Sequence, residues 1–146
     1  MARELAIPAL CLALIAACSR DQPAKAAPPA GPPLAGKPFY RVDPGPATAC
    51  ASGAVCEAKL VLTALGDYHV NKDYPFKFVG EPAPAAALDG DPTFAVDDAR
   101  HGTLTVRFRP AAAGTTTVAG VFKLSVCSDD TCEIEKPRIE LAVAVR

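Results

Sequence analysis

Thr103-Leu104-Thr105-Val106-Arg107-Phe108-Arg109 decides the fold class of this chain. Leu104, Val106 and Phe108 fall on one side of an extended backbone, with Thr103, Thr105, Arg107 and Arg109 on the other. A period of two carried by β-branched and aromatic residues marks a strand with one face in a core and one in water. The same alternation recurs in Lys59-Leu60-Val61-Leu62-Thr63 and in Arg138 to Val145, where Ile139, Leu141, Val143 and Val145 point inward. Val121 to Val126 places Phe122, Leu124 and Val126 inward and Lys123 and Ser125 outward. Shorter candidates lie at Phe39 to Val42, Phe76 to Val79 and Thr93 to Val96. Gly66-Asp67, Gly80 to Pro84, Asp89-Gly90-Asp91-Pro92, Pro110 and Gly114 punctuate them as turns.

Seven to eight short strands separated by turn signals predict an all-β, antiparallel, immunoglobulin-like β-sandwich over residues 39–146. Trp is absent and aromatic residues make up only 6% of the chain, so the core is modest and covalent staples would help it. With 15 basic and 16 acidic residues, the chain lacks the cationic surplus that nucleic acid demands, and no nucleic-acid partner is expected.

The first 17 residues read as an export signal. Arg3 precedes an apolar run from Leu5 to Ala17 that is too short to span a bilayer, which takes about 20 residues. Leu14-Ile15-Ala16-Ala17-Cys18 resembles the lipobox of bacterial lipoproteins, and the resemblance implies cleavage before Cys18 and lipidation of its thiol. It implies membrane attachment through that lipid and a periplasm-facing place in the cell envelope. Ser19 after the cysteine favours the outer membrane over the inner. Residues 18–38 carry Pro23, Pro28, Pro29, Pro32, Pro33 and Pro38 and read as an extended tether.

Of six cysteines, Cys11 leaves with the signal and Cys18 takes the lipid, leaving Cys50, Cys56, Cys127 and Cys132. In an oxidising compartment four cysteines imply two disulfides. Local pairing, Cys50–Cys56 and Cys127–Cys132, is favoured, because a hairpin across Ser128-Asp129-Asp130-Thr131 would bring the second pair together. The rival is a long-range bridge such as Cys56–Cys127. Zinc knuckles place two to four residues between paired ligands; the gaps here are five and four, so no metal site is expected. No cofactor is called for either.

Asp67-Tyr68-His69-Val70-Asn71, running on to Tyr74-Pro75, is similar to a strand motif of the N-terminal domain of the thiol:disulfide interchange protein DsbD. Val126-Cys127 to Cys132 occupies the place of that domain's late cysteine pair. The resemblance implies an immunoglobulin-like fold and a redox pair, Cys127 as nucleophile and Cys132 resolving, that exchanges electrons with a periplasmic thiol–disulfide partner. The family has Gly before the first cysteine and an aromatic–Pro step after the second; here Val126 precedes and Glu133-Ile134-Glu135 follows. Asp129, Asp130, Glu133 and Glu135, close in sequence, would disfavour a thiolate and favour the oxidised form.

Two functional expectations emerge. One is a non-catalytic, lipid-tethered module that binds or positions another envelope protein, with Tyr40, Tyr68 and Tyr74 as a candidate aromatic patch. The other is thiol–disulfide exchange at Cys127 and Cys132, with His69, Tyr68 and Asn71 as candidate binding residues beside them. His101, the Asp97-Asp98 pair and the Asp89, Asp91 cluster read as turn formers.

Overall fold

The structure, a computed structural model, describes residues 32–146. The export segment, Cys18 and its lipidation, and residues 18–31 of the tether lie outside them. Eleven strands build two antiparallel sheets: β1 (Ala35–Lys37), β2 (Tyr40–Pro44), β3 (Cys56–Ala64), β4 (His69–Val70), β5 (Lys77–Gly80), β6 (Ala86–Leu88), β7 (Thr93–Val96), β8 (His101–Pro110), β9 (Gly114–Cys127), β10 (Cys132–Glu135) and β11 (Arg138–Val145). The first sheet runs β1-β2-β3-β8, with β6 and β7 both on the far edge of β8. In the second, β9 carries β10 and β11 along one edge and β4 and β5 along the other. Three of these pairs, β4/β5, β6/β7 and β10/β11, each share one edge of a single partner, so the strands follow eight paths.

The interruptions have local causes. β10 and β11 keep one register against β9, from Cys132 opposite Cys127 to Val145 opposite Gly114. Between them Pro137 has no N–H to give the ladder. Its carbonyl still accepts from the Phe122 amide at 3.0 Å, so the alignment survives. β4 and β5 are separated by a turn in which Asn71 Oδ1 accepts from the Asp73 amide and the Asn71 carbonyl accepts from the Tyr74 amide. The sheet begins at Ala35, upstream of the expected boundary at Phe39, because β1 folds back on β2 through Pro38-Phe39.

The core is the set of inward side chains that alternation marks. Leu60 and Leu62 of β3, Leu104, Val106 and Phe108 of β8, Phe122, Leu124 and Val126 of β9, and Ile139 of β11 are all buried. On the side where β5 faces β7, Phe76 stacks on Phe94 at 4.0 Å and both lean on Phe122. Phe78 lies across Gly120. Just past β2, Gly45 sits so close to β3 that a Cβ would meet the Lys59 backbone at 2.9 Å.

Tyr40 is not part of an exposed patch. It is buried at 2% exposure, because β2 is flanked on both sides and turns Tyr40 and Val42 inward. Burial, and then the nearby Glu135 carboxylate, raise its hydroxyl above its ordinary value of 10.0. The neutral phenol is the form the fold favours, so its contribution is complete below pH ~10 and is lost as the pH rises through the raised value. Tyr40→Phe is expected to move the alkaline unfolding midpoint, followed by circular dichroism, to higher pH.

A Cβ on Gly120 would stand 2.5 Å from both the Phe78 ring and the Val79 carbonyl oxygen, and the backbone atom cannot rotate aside. Gly120→Ala is therefore expected to destabilise by about 1–3 kcal/mol in urea melts. Thr117→Ala, exposed on the same strand, is expected to stay within about 0.5 kcal/mol of the parent.

Candidate functional site

Cys127 is the last residue of β9, and the chain reverses at once through Ser128-Asp129-Asp130-Thr131. The Ser128 amide donates to the Thr131 carbonyl at 2.8 Å, and Ser128 Oγ accepts from the amides of Asp130 and Thr131. That turn sets Cys132 opposite Cys127 with Cα atoms 4.0 Å apart, the close spacing of a non-hydrogen-bonded pair in an antiparallel ladder. The two cysteines are joined there. The other four-cysteine partners, Cys50 and Cys56, are joined to each other, so both disulfides are local and Cys56 does not reach Cys127.

The two bridges sit in different surroundings. Cys50 and Cys56 are 4% and 3% exposed, and their loop is held by both sheets. Within it the Ser52 amide donates to the Arg146 carbonyl, and the Cys50 carbonyl accepts from the Arg146 amide. The Gly53 amide donates to the Pro110 carbonyl at the end of β8. Cys127 is 7% exposed, whereas Cys132 is exposed. Of the two, Cys132 is therefore the more open to solvent.

Register brings His69 into the same row. It lies opposite Cys127 on the other edge of β9, so His69, Cys127 and Cys132 share the outer face of the second sheet. The His69 side chain is exposed. Tyr68 is not in this group: it points to the other face, half-buried, with its ring 5.3 Å from that of Phe39. Asn71 stands one row away and is occupied structurally, its Nδ2 donating to Ser125 Oγ at 3.3 Å and its amide donating to the Ser125 carbonyl. This cover explains why Ser125, outward by alternation, has no exposure at all.

The carboxylates divide in the same way. Glu133 and Glu135 oppose Val126 and Leu124, so they lie on the face away from the disulfide. Glu135 is drawn to Lys37 Nζ of β1 at 2.6 Å. Only Asp129 and Asp130, at the hairpin tip, remain near the sulfurs on the chain. Acidity around the pair is thus weaker than sequence proximity implies. Ile134, opposite Ser125, takes the outward position instead and is 59% exposed. Sequence reasoning passed over it; the signal was the Glu-Ile-Glu alternation, inverted relative to every other strand.

Among the described residues, no group of three His, Cys, Asp or Glu side chains is placed to hold a metal. A groove of about 170 Å³ lies at the opposite end of β9, between Pro44–Thr48, β3 and β11. Asp98, in the turn before β8, accepts from the Arg100 and His101 amides and sits 2.9 Å from His101 Nδ1; the Arg100 amide first, and then the His101 side chain and amide, hold its carboxyl below the usual range. Asp89 pairs with Arg109 at 2.8 Å. Both are turn-stabilising arrangements. No protein-family model matches this chain, and comparison with curated proteins and with solved structures finds no match.

Mild dithiol is expected to open Cys127–Cys132 before Cys50–Cys56, with unchanged far-ultraviolet dichroism. Mass-spectrometric thiol trapping checks the order. Closing so short a loop stabilises by about 2 kcal/mol on the chain-entropy model. Cys127→Ser with Cys132→Ser should cost no more than that, whereas Cys50→Ser with Cys56→Ser should cost more, because it also loosens the join between the sheets.

Proposed function

We propose that this chain is a lipid-anchored module of the cell envelope, immunoglobulin-like in architecture, that binds or positions another envelope protein through the outer face of its second sheet. The observation that carries this reading is the row beside the hairpin. There Ile134, the most exposed large apolar side chain among the described residues, stands one row from exposed Cys132 and His69 on the same sheet face. Val79 is 44% exposed on the same outer face, and two exposed apolar side chains set among polar ones have the apolar centre and polar rim of a small docking surface.

The topology supports the architecture. Leaving β1 aside, β2, β3, β8 and β6/β7 follow the order of strands A, B, E and D, and β4/β5, β9 and β10/β11 follow C, F and G. The bridge between strands B and F of antibody domains is replaced by the two local disulfides. Disulfides also support an oxidising compartment, in keeping with the lipobox-like Leu14 to Cys18 and a periplasm-facing, outer-membrane location.

Exposure of Cys132 favours a second reading, thiol–disulfide exchange. A partner dithiol's thiolate would attack Cys132 Sγ, forming a mixed disulfide and expelling Cys127 as a thiolate that takes up a proton. The partner's second thiolate would then attack its own sulfur in the mixed disulfide and release Cys132. Two electrons and two protons pass to this chain, and the partner leaves as its disulfide. His69, across the ladder from Cys127, is placed to stabilise the expelled thiolate.

The reduction potential of Cys127–Cys132, measured by thiol trapping in dithiol buffers, separates the two. Structural disulfides typically lie below about −300 mV. The docking reading expects a value in that range, and the exchange reading a value well above it with the fold intact. Ile134→Asp is expected to abolish partner binding in either case and to leave the melting temperature within a few degrees.

A further inference from the structure

Three lysines stand in one line across the second sheet. Lys77 of β5 opposes Lys123 of β9. On the other side of β9, the shared register of β10 and β11 sets Lys136 opposite Lys123 as well. Opposed residues of neighbouring strands point to the same face, so all three ammonium groups emerge on the outer face. Lys77 and Lys136 are exposed and Lys123 is partly so. Like charges placed directly opposite each other destabilise a sheet. Among the described residues none of the three belongs to an ion pair; the carboxylates nearby are used elsewhere. Arg138, next along the strand, holds Glu81 at 2.7 Å and Glu140 at 2.6 Å, and Glu135 is taken by Lys37.

The surroundings of the row are patterned. Ile134 lies on its hairpin side and Val79, 44% exposed, on the other. Beyond Ile134 come the Cys127–Cys132 row and the acidic tip Asp129-Asp130; Arg138 shares the Val79 row, and beyond it come Glu81 and Glu140, which it holds. Cys127 is four residues from Lys123, about 13 Å along the strand.

We propose that this lysine row, with Ile134 and Val79, is the docking surface for an acidic patch on a partner protein, one that carries two or three carboxylates around apolar residues. This rests on the reading that the chain engages another envelope protein, and it names the chemistry of that partner. A uniformly anionic membrane fits less well, because it would meet the carboxylates at both ends of the face as well as the lysines between them. A discrete acidic patch meets only the row. The same row would steer such a partner toward Cys132 from a distance, with a strength that falls as salt rises.

The test uses the full chain in phosphatidylcholine nanodiscs and a fluorescent peptide of alternating Glu and Leu, followed by anisotropy. Lys77→Ser, Lys123→Ser and Lys136→Ser together are expected to weaken binding at least tenfold, and raising salt should do the same to the parent. Lys59→Ser, Arg100→Ser and Arg107→Ser, on or beside the first sheet, should change it less than twofold. Removal of the opposed charges should leave the melting temperature equal or higher, so lost binding is not lost folding. Peptide binding that survives the lysine triple and is lost with the first-sheet triple overturns this surface and leaves the docking reading standing. Failure of the peptide to bind the parent overturns the acidic-partner proposal. Phosphatidylglycerol nanodiscs provide the other arm. If they protect 77–80 and 132–138 from hydrogen exchange in the parent but not in the lysine triple, the face is a membrane face and both readings fall.

Discussion

The second sheet exists only as partners of β9. That strand runs 14 residues from Gly114 to Cys127, and no other two strands of the sheet pair with each other. Its two edges hold β4 and β5 on one side and the β10–β11 run on the other. Its inward residues, Val118, Phe122, Leu124 and Val126, form the centre of that sheet's share of the core, joined by Val70, Phe78, Ile139 and Val145 of the strands it holds. Every row of the outer face therefore passes through one β9 residue. The alignment of His69 with Cys132, and of Lys77 with Lys136, follows from how each flanking strand registers on this one.

Registration in turn depends on short-range features. A one-residue slip would turn an entire strand to the wrong face. On the β10–β11 side, the Ser128–Thr131 turn sets the alignment and the disulfide locks it. On the β4–β5 side, Asn71 holds Ser125 through both its amide and its side chain and fixes β4, and β5 resumes against β9 after a four-residue excursion, an even offset that keeps its side chains on the same faces. The close approach at Gly120, where Phe78 fills the place of a side chain, pins β5 further along.

Much of this was legible in the residues. Alternation at 103–109, 121–126 and 138–145 marks the inward faces correctly, since side chains of period two with large aliphatic members have one way to be buried. The spacing of the cysteines favoured the local bridges that form. What could not be read was pairing. The first half of β9, Thr115-Thr116-Thr117-Val118-Ala119-Gly120, is too polar and small to stand out, and it becomes a strand because β11 lies in register beside it. β6 is an Ala-Ala-Leu stretch held by the end of β8. Tyr68 and His69 are neighbours in sequence and belong to opposite faces, so a motif that names both cannot say which one stands beside the cysteines. Glu133 and Glu135 lie within three residues of Cys132 yet face away from it, for the same reason. Sequence proximity overstates electrostatic contact in a strand, where every second residue is screened by the sheet itself.

The two disulfides differ in what their loss would release. Around Cys50–Cys56 the loop donates to β8 and exchanges bonds with Arg146 beyond β11, one in each sheet, so freeing it loosens the join between the layers. Around Cys127–Cys132 the covalent link closes only a hairpin tip that the Ser128 and Thr131 bonds already hold, and the ladder behind it runs on through Glu135 opposite Leu124. Opening it would release the least protected end of the strand pair, where local fluctuation costs least. The bridge that ties the two sheets together and the bridge that is open to solvent thus lie at opposite ends of β9. The hairpin that carries Cys132 can therefore loosen at its tip while the core set by β9 stays as it is.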